Sequence, residues 1–483
     1  MTVQGRMLID GEMTVGAGGA AGVWIDSHDP ATLEPIGRVP AATASDVDRA
    51  VRAAAKAQMD WAARSVWERA AALRALASAI RARGPEILNL EARDTGNTIG
   101  KLQADVQIAA GYLEYFAGLA SELKGETIPA TSKGLHLTLR EPYGVVARIV
   151  PFNHPFMFAA AHLAAPLMAG NAVVVKTPET SPLTGSILGE LCQSALPAGL
   201  VNILHGHGMP AGDALVRHPL VRRIGFTGSV ATGLAIQRAA AESGVKHVTL
   251  ELGGKNPFIV FPDADLDRVV EMAVAGMNFS WAGQSCGSTS RLLLHESIHD
   301  VVVERVGARL STLRLGSPLD PSSEMGPVNS ARHRDRIMAL IDSARSEGAR
   351  VVTGGGRPRG ESFARGYWIE PTLFADVTPA MRIAREEVFG PVVCAQRFRT
   401  EEEAVAIANG TDFGLTAAVW TRDLPLALRM VRAVQAGTVW INTAGQHFVG
   451  TPFGGWKDSG LGGEECLDEL FSYSQIKAVH VFP

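Results

Sequence analysis

One cysteine in this chain lies where a nucleophile could work. Residues 276–291 read GMNFSWAGQSCGSTSR and put Cys286 among glycines, serines and a glutamine, just past an apolar helical run. Only a thiolate is a strong nucleophile, and a free thiol with a pKa of ~8.5 is a few per cent ionised at neutral pH. A turn whose backbone N–H groups point at the sulfur would raise that fraction; an incidental thiol on a turn is the competing reading. The other cysteines carry no such signal. Cys192 falls in the helical SILGELCQSAL, Cys394 in the strand-like PVVCAQRF and Cys466 in a terminal helix, where packing explains them.

A cysteine nucleophile needs a base or water activator and an oxyanion stabiliser. Glu251, in TLELGG, ends an apolar strand between Leu250 and Leu252; such a carboxylate is either structurally paired or kept for proton transfer. Asn153, in VPFNHPF, lies on a loop stiffened by two prolines. Its amide could donate to a developing oxyanion or cap a helix beginning at Pro155. GFTGSVATG (225–233) runs a strand into Gly228 and Ser229 at a helix N-terminus, which offers amides and a hydroxyl to a phosphate. KTPE (176–179) ends another strand and presents Lys176 and Glu179 to ribose hydroxyls.

Two further strings are weaker. GHGMPAG (206–212) has the spacing G-x-G-x-x-x-G with no suitable acid after it, and reads as a plain strand-to-helix turn. HESIH (295–299) matches the pattern of zinc hydrolases, which requires both histidines on one helix face. His295 ends the strand RLLL and Ser297 is a natural helix cap, so no metal site is expected.

These residues need a scaffold. Residues 45–120 carry apolar positions at helical spacing, with Ser45 as a plausible cap. Beyond them, short β-branched runs alternate with helical stretches: GVVARIV, NAVVVK, VNILHG, RRIGFTGS and HVTLELGG. Continuously apolar strands joined by helix-length segments predict a parallel sheet covered on both faces, a doubly wound α/β domain. A second α/β series follows, with strands in NPFIVF, SRLLLH, ARVVTG, PVVCAQRF, LTAAVWT and GTVWIN, and helices over 264–279 and 425–435. Asp263 or Asp265 would cap the first of these helices. SKGLHLTLREP (132–142) and YSQIKAVHVF (473–482) alternate in character and read as strands outside both sheets. The major boundary is placed near Gly253–Gly254.

Composition agrees with a protein of this kind. The chain has 483 residues, 46% hydrophobic and 19% charged, with a net charge of −4. That length suggests more than one domain, and the charge, without any Lys/Arg block, argues against a nucleic-acid or anionic-membrane surface. There is no signal-peptide pattern, no apolar run long enough to span a bilayer and no CxxC pair. Four scattered cysteines fit reduced thiols, so a cytoplasmic setting is expected.

PFNHP, KTPETSPLT, GFTGS, ELGGKNP, GQSC, EEVFGPV and PFGGWKDSG occur in an order and spacing that resemble the aldehyde dehydrogenase superfamily over essentially the whole chain. The resemblance implies a Rossmann-like dinucleotide-binding domain over 1–122 and 143–252. It adds a catalytic domain over 253–452 and β strands for oligomerisation over 123–142 and 473–483. It implies that Cys286 attacks the carbonyl, with the oxyanion held by Asn153 and the Cys286 N–H, and that Glu251 activates water against the resulting thioester. Lys176 and Glu179 match positions that bind the adenosine ribose, Ser229 the pyrophosphate contact and Glu387 the nicotinamide ribose contact, with Phe389 beside that ring; Phe226 and Gly228 join them as expected cofactor-binding residues.

Glu179 would repel a 2′-phosphate, which favours NAD over NADP, although Lys176 could offset it. Two positions depart from the pattern. Gly463 stands where arginine is usual and His162 where many relatives carry lysine, neither touching the proposed chemistry directly. The substrate tunnel would be lined by Phe156, Phe158, Trp281, Ser285, Gln446, His447 and Phe448. These suit an aromatic or hydrophobic aldehyde, or a cage for a quaternary ammonium, since SRLLLHESI is similar to strings in betaine- and aminoaldehyde-oxidising members. A cysteine-dependent ester hydrolase and a non-catalytic relative are the readings of another class. A small-molecule aldehyde and a second copy of the chain, as homodimer or homotetramer, are the expected partners, with neither nucleic acid nor membrane.

Overall fold

The computed structural model describes residues 2–483. Two parallel sheets organise the chain. In the first, five strands run parallel in the order His247–Glu251, Val221–Thr227, Val145–Ile149, Ala172–Thr177 and Val201–His205. Every residue of Val145–Ile149, Ala172–Thr177 and Val201–His205 is buried, as expected when helices cover both faces. Helices Ala44–Ala63, Val66–Ala82, Gly84–Thr95 and Ile99–Gly118 supply part of that cover and pack into the same apolar core.

The second sheet has six parallel strands, in the order Thr372–Ala375, Val392–Phe398, Arg291–His295, Pro257–Val260, Thr416–Trp420 and Thr438–Ile441. Arg350–Thr353 joins its edge antiparallel. Strands Leu135–Pro142 and Ser474–Val481 pair antiparallel, from Ser474 against Pro142 to Val481 against Leu135, as a ribbon outside both sheets. Leu135, Leu139, Ile476, Val481 and Phe482 are exposed on or beside it. No helix among the described residues is long and apolar enough to cross a membrane.

Several local expectations change. Thr43, not Ser45, caps Ala44–Ala63: its hydroxyl accepts from the Asp46 N–H while the Asp46 carboxylate accepts from the Thr43 N–H, a reciprocal box that a residue inside the helix cannot form. Asp265 caps Leu266–Ala275, whereas Asp263 accepts from Thr421, Arg422 and Asp423. His295, rather than Ser297, caps Glu296–Ser311, its Nδ1 accepting from the Ser297 N–H. The helix foreseen over 264–279 ends at Ala275. Asn278 and Ala282 then take left-handed backbone, and Gly283 does so where a side chain would strike the Gly390 carbonyl.

The N-terminal segment holds strands that the apolar pattern did not reveal. Met7–Ile9 and Glu12–Thr14 extend the first sheet, and Val3–Gln4, Trp24–His28 and Pro35–Pro40 form a small sheet of their own. At the other end, Gly460–Leu461 pairs antiparallel with Leu250–Glu251. Residues beyond 452 therefore return to the first sheet, and they carry Glu464, Glu465 and Glu469 towards Glu251.

Candidate active site

The C-terminal ends of the first sheet's strands open into one groove of about 1180 Å³, where parallel sheets gather ligands. Asn153, Lys176, Glu179, Ser229, Glu251 and Cys286 all line it. Phe158, Phe226, Gly228, Glu387 and Phe389 line the same space.

The loop carrying Cys286 is clamped. Asn256 donates from Nδ2 to the carbonyls of Cys286, at 2.7 Å, and Ser288, at 2.9 Å, while its Oδ1 accepts from the Thr416 N–H. Asn153 donates from Nδ2 to the Gln284 carbonyl at 2.9 Å, and Asn97 donates to the Asn153 carbonyl at 2.7 Å. One N–H of the Asn153 amide is thus used to hold the loop, and the other remains to donate. Asn153 does not cap the helix Pro155–Ala161. Neither Asn256 nor Asn97 stood out in the sequence, where a buried amide looks like any other asparagine.

Ionisation departs from the expectation. Burial pushes the Cys286 thiol up to about 12, and the carboxylates of Glu387 and Glu251 add to this; the N–H groups of Gly287 and Cys286 pull the other way and lose. The turn therefore holds a protonated thiol. Desolvation exceeds the pull of two amide dipoles.

Glu251 is buried, and among the described residues neither of its carboxyl oxygens has a hydrogen-bond partner. Burial raises its pKa well above the usual carboxylate range, Glu464 and Glu465 raise it further, and Arg148 offsets only part. Glu464 itself overcomes the cost of burial: with the Arg148 guanidinium donating to it, its carboxylate stays below the ordinary value. Arg148 Nη2 donates to Glu464 at 3.0 Å and Nη1 to the Tyr473 hydroxyl at 2.9 Å. Burial pushes Glu469, in the same cluster, up to about 8, with Glu464 adding to the rise.

His162 lies beside the carboxylate cluster. Its ring stacks on Phe158 with centroids 5.4 Å apart, and Nε2 lies 3.5 Å from Glu464. Burial depresses its pKa to about 3, so it is neutral. It touches Glu464, whose charge bears on Glu251, and does not itself reach Glu251. His162, Glu464 and Glu469 bring three ligand-capable atoms within 4.8 Å, but the Arg148 guanidinium already neutralises Glu464 there. Gly463 leaves its turn intact: Phe453 and Glu464 exchange backbone hydrogen bonds across it.

The cofactor candidates form a set of their own. Lys176 Nζ donates to Glu179 at 3.0 Å, and burial notwithstanding, Lys176 holds the Glu179 carboxyl below its usual range. Ser229 caps Val230–Ser243, accepting from the Thr232 N–H, at the start of a helix whose first residues, Val230 to Thr232, line the groove. Glu387 accepts from the Gly254 N–H at 2.8 Å and is pushed by burial up to about 7. A side chain at Gly253 would collide with it. Phe389 has φ +55°, and its carbonyl accepts from His333 Nε2 at 2.6 Å.

Of the expected substrate-lining residues, Phe158 lines the groove, while Trp281 and Ser285 are half-buried on the Cys286 loop. Phe156 is a correction: 1% exposed, it packs in the core of the first domain, because the residue after the helix-starting proline points inward. Gln446, His447 and Phe448 lie on an exposed loop, with Phe448 60% exposed and His447 Nδ1 3.1 Å from Glu465.

The chain is similar to known proteins over nearly its whole length. The model of the "Aldehyde dehydrogenase family" matches residues 19–479. Aldehyde dehydrogenase TropH of Talaromyces stipitatus is 48% identical over 463 residues, covering 94% of this chain and 90% of the relative. The crystal structure of PnpE from Pseudomonas sp. WBC-3 superposes with a TM-score of 0.96 at 40% identity, covering 99% of this chain and 98% of its own. Betaine aldehyde dehydrogenase (BetB) from Staphylococcus aureus, in complex with NAD+, gives 0.96 at 36% identity over 99% and 95%.

Proposed function

The chain belongs to the aldehyde dehydrogenase family, and from that premise we propose that it oxidises an aromatic or hydrophobic aldehyde to the carboxylic acid with NAD as acceptor. The observation that carries the reading is the convergence of Cys286, Asn153 and Glu251 on one groove, which the Lys176–Glu179 pair, Ser229 and Glu387 also line.

The groove fits a dinucleotide. Its volume, the helix N-terminus at Ser229 and two carboxylates placed for ribose hydroxyls match the donors and acceptors of such a molecule. Glu179 is turned against a 2′-phosphate, and because Lys176 is committed to Glu179 it is poorly placed to offset that repulsion. This favours NAD over NADP. When bound, the nicotinamide supplies a two-electron acceptor for hydride.

The chain's own residues do the rest. Cys286 Sγ, its proton passing to water in the open groove, adds to the aldehyde carbon, and the oxyanion takes hydrogen bonds from the free Asn153 N–H and the Cys286 backbone N–H. Loss of hydride from that carbon leaves a thioester on Cys286. Glu251, once ionised, takes a proton from water, which attacks the thioester carbonyl and releases the acid and the thiol. A raised pKa suits that role, since a carboxylate of ordinary acidity is a weak base near neutrality.

The two sheets support a division into a dinucleotide-binding domain over 1–122 and 143–252 and a catalytic domain over 253–452. Residues 123–142 and 473–483 supply the ribbon, whose exposed apolar side chains suit pairing with a second copy of the chain. Four unpaired thiols suit a cytoplasmic setting.

A panel of aldehydes with NAD and NADP tests the reading. Reduced cofactor should accumulate with NAD and vanish in Cys286→Ala, while Glu251→Gln should give one burst per site and then stall. Cleavage of an activated ester at equal rates with and without NAD, and no reduced cofactor from any aldehyde, would replace it with a cysteine hydrolase.

A further inference from the structure

Asn153 is held by residues that the chemistry above does not touch. Its carbonyl accepts from Asn97 Nδ2 at 2.7 Å, and its own Nδ2 donates to the Gln284 carbonyl at 2.9 Å. Gln284 accepts at Oε1 from the Asn329 N–H at 2.9 Å and donates from Nε2 to the Trp281 carbonyl at 3.1 Å. Asn329 Nδ2 reaches back to the Asp94 carbonyl at 3.4 Å, on the turn that leads into Asn97, so the bonds close a ring. Asn97, Asn153, Gln284 and Asn329 are each no more than 5% exposed.

Asn97 is itself well fixed. Its N–H donates to the Thr95 hydroxyl at 3.1 Å, which donates to the Glu91 carbonyl at 2.7 Å. Gly96 before it takes left-handed backbone at φ +85°, where a side chain would meet the Pro327 carbonyl, so segment 326–329 lies against this turn. Past Asn153, Asp105 accepts from His154 at 2.7 Å and Glu91 from the Phe156 N–H at 3.2 Å. Asn97 is the side chain that holds the Asn153 peptide. The Gln284 carbonyl accepts only, so it fixes which end of the Asn153 amide faces the cysteine loop; the rotated amide would set two oxygens together. Asn153 Oδ1 is buried without a partner among the described residues, so the amide keeps this orientation against the cost of an unpaired acceptor.

We propose that Asn97 is a positioning residue for the oxyanion donor. By holding the Asn153 peptide, within the ring that Gln284 and Asn329 close, it keeps the free N–H of Asn153 aimed where the substrate oxygen becomes negative. The assignment rests on the aldehyde-oxidising reading above. Asn153 and Cys286 line one groove, and the bond from Asn153 to Gln284 ties the donor to the loop that carries the nucleophile. A donor set in place before the reaction costs no reorganisation when charge develops, and one free to turn loses that advantage. Asn97 touches neither substrate nor cofactor in this role and acts through Asn153.

The test uses the full-length enzyme with NAD, in excess over an aldehyde that it oxidises, so that NADH formation reports a single turnover. Asn97→Ala should slow that step by at least about tenfold, while Kd for NAD stays within about twofold. Alkylation of Cys286 by iodoacetamide, a displacement that forms no oxyanion, should also stay within about twofold. Asn153→Ala separates positioning from packing, because the carbonyl that Asn97 holds survives it. In that background, adding Asn97→Ala should change the single-turnover rate by less than about twofold. Asn97→Ser, too short to keep the bond, takes the place of Asn97→Ala if the latter does not fold. An equal cost in both backgrounds, alkylation that slows in step with oxidation, or a single-turnover rate unmoved by the substitution overturns the proposal. If no aldehyde is oxidised, the reading above fails by itself, and nitrophenolate release from 4-nitrophenyl acetate, which passes through the same oxyanion, carries these comparisons instead. Turnover of neither compound overturns both.

Discussion

Arg148 and Glu464 form a buried ion pair, Nη2 to Oε1 at 3.0 Å, with side chains 1% and 7% exposed. The pair keeps Glu464 charged, and that charge adds to burial in raising the Glu251 pKa. One strand of the first sheet supplies Arg148, and the returning segment after residue 452 supplies Glu464.

Replacing Glu464 with Gln removes a like charge from Glu251, so Glu251 should titrate lower. A general base that ionises at lower pH works at lower pH. The acid limb of thioester release, measured by single-turnover acid quench across pH, should move down by about one unit. Stability should fall by about 3–5 kcal/mol, because Arg148 loses its partner in the interior. An unmoved acid limb in a folded variant would count against this coupling.

The thiol of Cys286, held near 12, bears on alkylation. Below its pKa the thiolate fraction grows tenfold per pH unit, so the rate with iodoacetamide should keep climbing from about pH 7 to about pH 10. Cys286→Ala should abolish the fast phase, since Cys192, Cys394 and Cys466 are buried. A plateau near the ordinary thiol pKa would contradict the assignment.

Glu91 is a structural counterpart. Burial pushes it up to about 8, and it accepts from the Thr184 hydroxyl at 2.7 Å and the Phe156 N–H at 3.2 Å. Its folded pKa exceeds the unfolded value of 4.5. The folded state therefore binds the extra proton between these values, and the stability this contributes is complete below the lower and lost as pH rises through the higher. The slope reaches at most ~1.4 kcal/mol per pH unit. Glu91→Gln mimics the protonated acid, so its Tm should be near wild type at pH 5 and above it at pH 9. Parallel Tm curves across that range would show Glu91 to be ionised in the fold.

Much of the scaffold was legible because buried parallel strands are written as unbroken apolar runs. NAVVVK and VNILHG announce Ala172–Thr177 and Val201–His205 without reference to anything distant. Met7–Ile9 and Gly460–Leu461 were not legible, because strands of two or three residues carry no period and exist only by pairing with an edge already formed. Cap choice failed for a similar reason at Ser45, where a reciprocal bond between Thr43 and Asp46 outweighs a generic preference for serine.

The sequence by itself determined which groups stand at the strand ends and on the cysteine turn, since glycines, prolines and apolar runs dictate those positions locally. Only the tertiary structure decided how those groups are charged. Glu464, Arg148 and His162 come from separate parts of the chain, and ionisation follows from burial and from fields that act through space rather than along the backbone. That is why a turn rich in amides holds a protonated thiol, and why Glu464 bears on Glu251 although no local string places the two together.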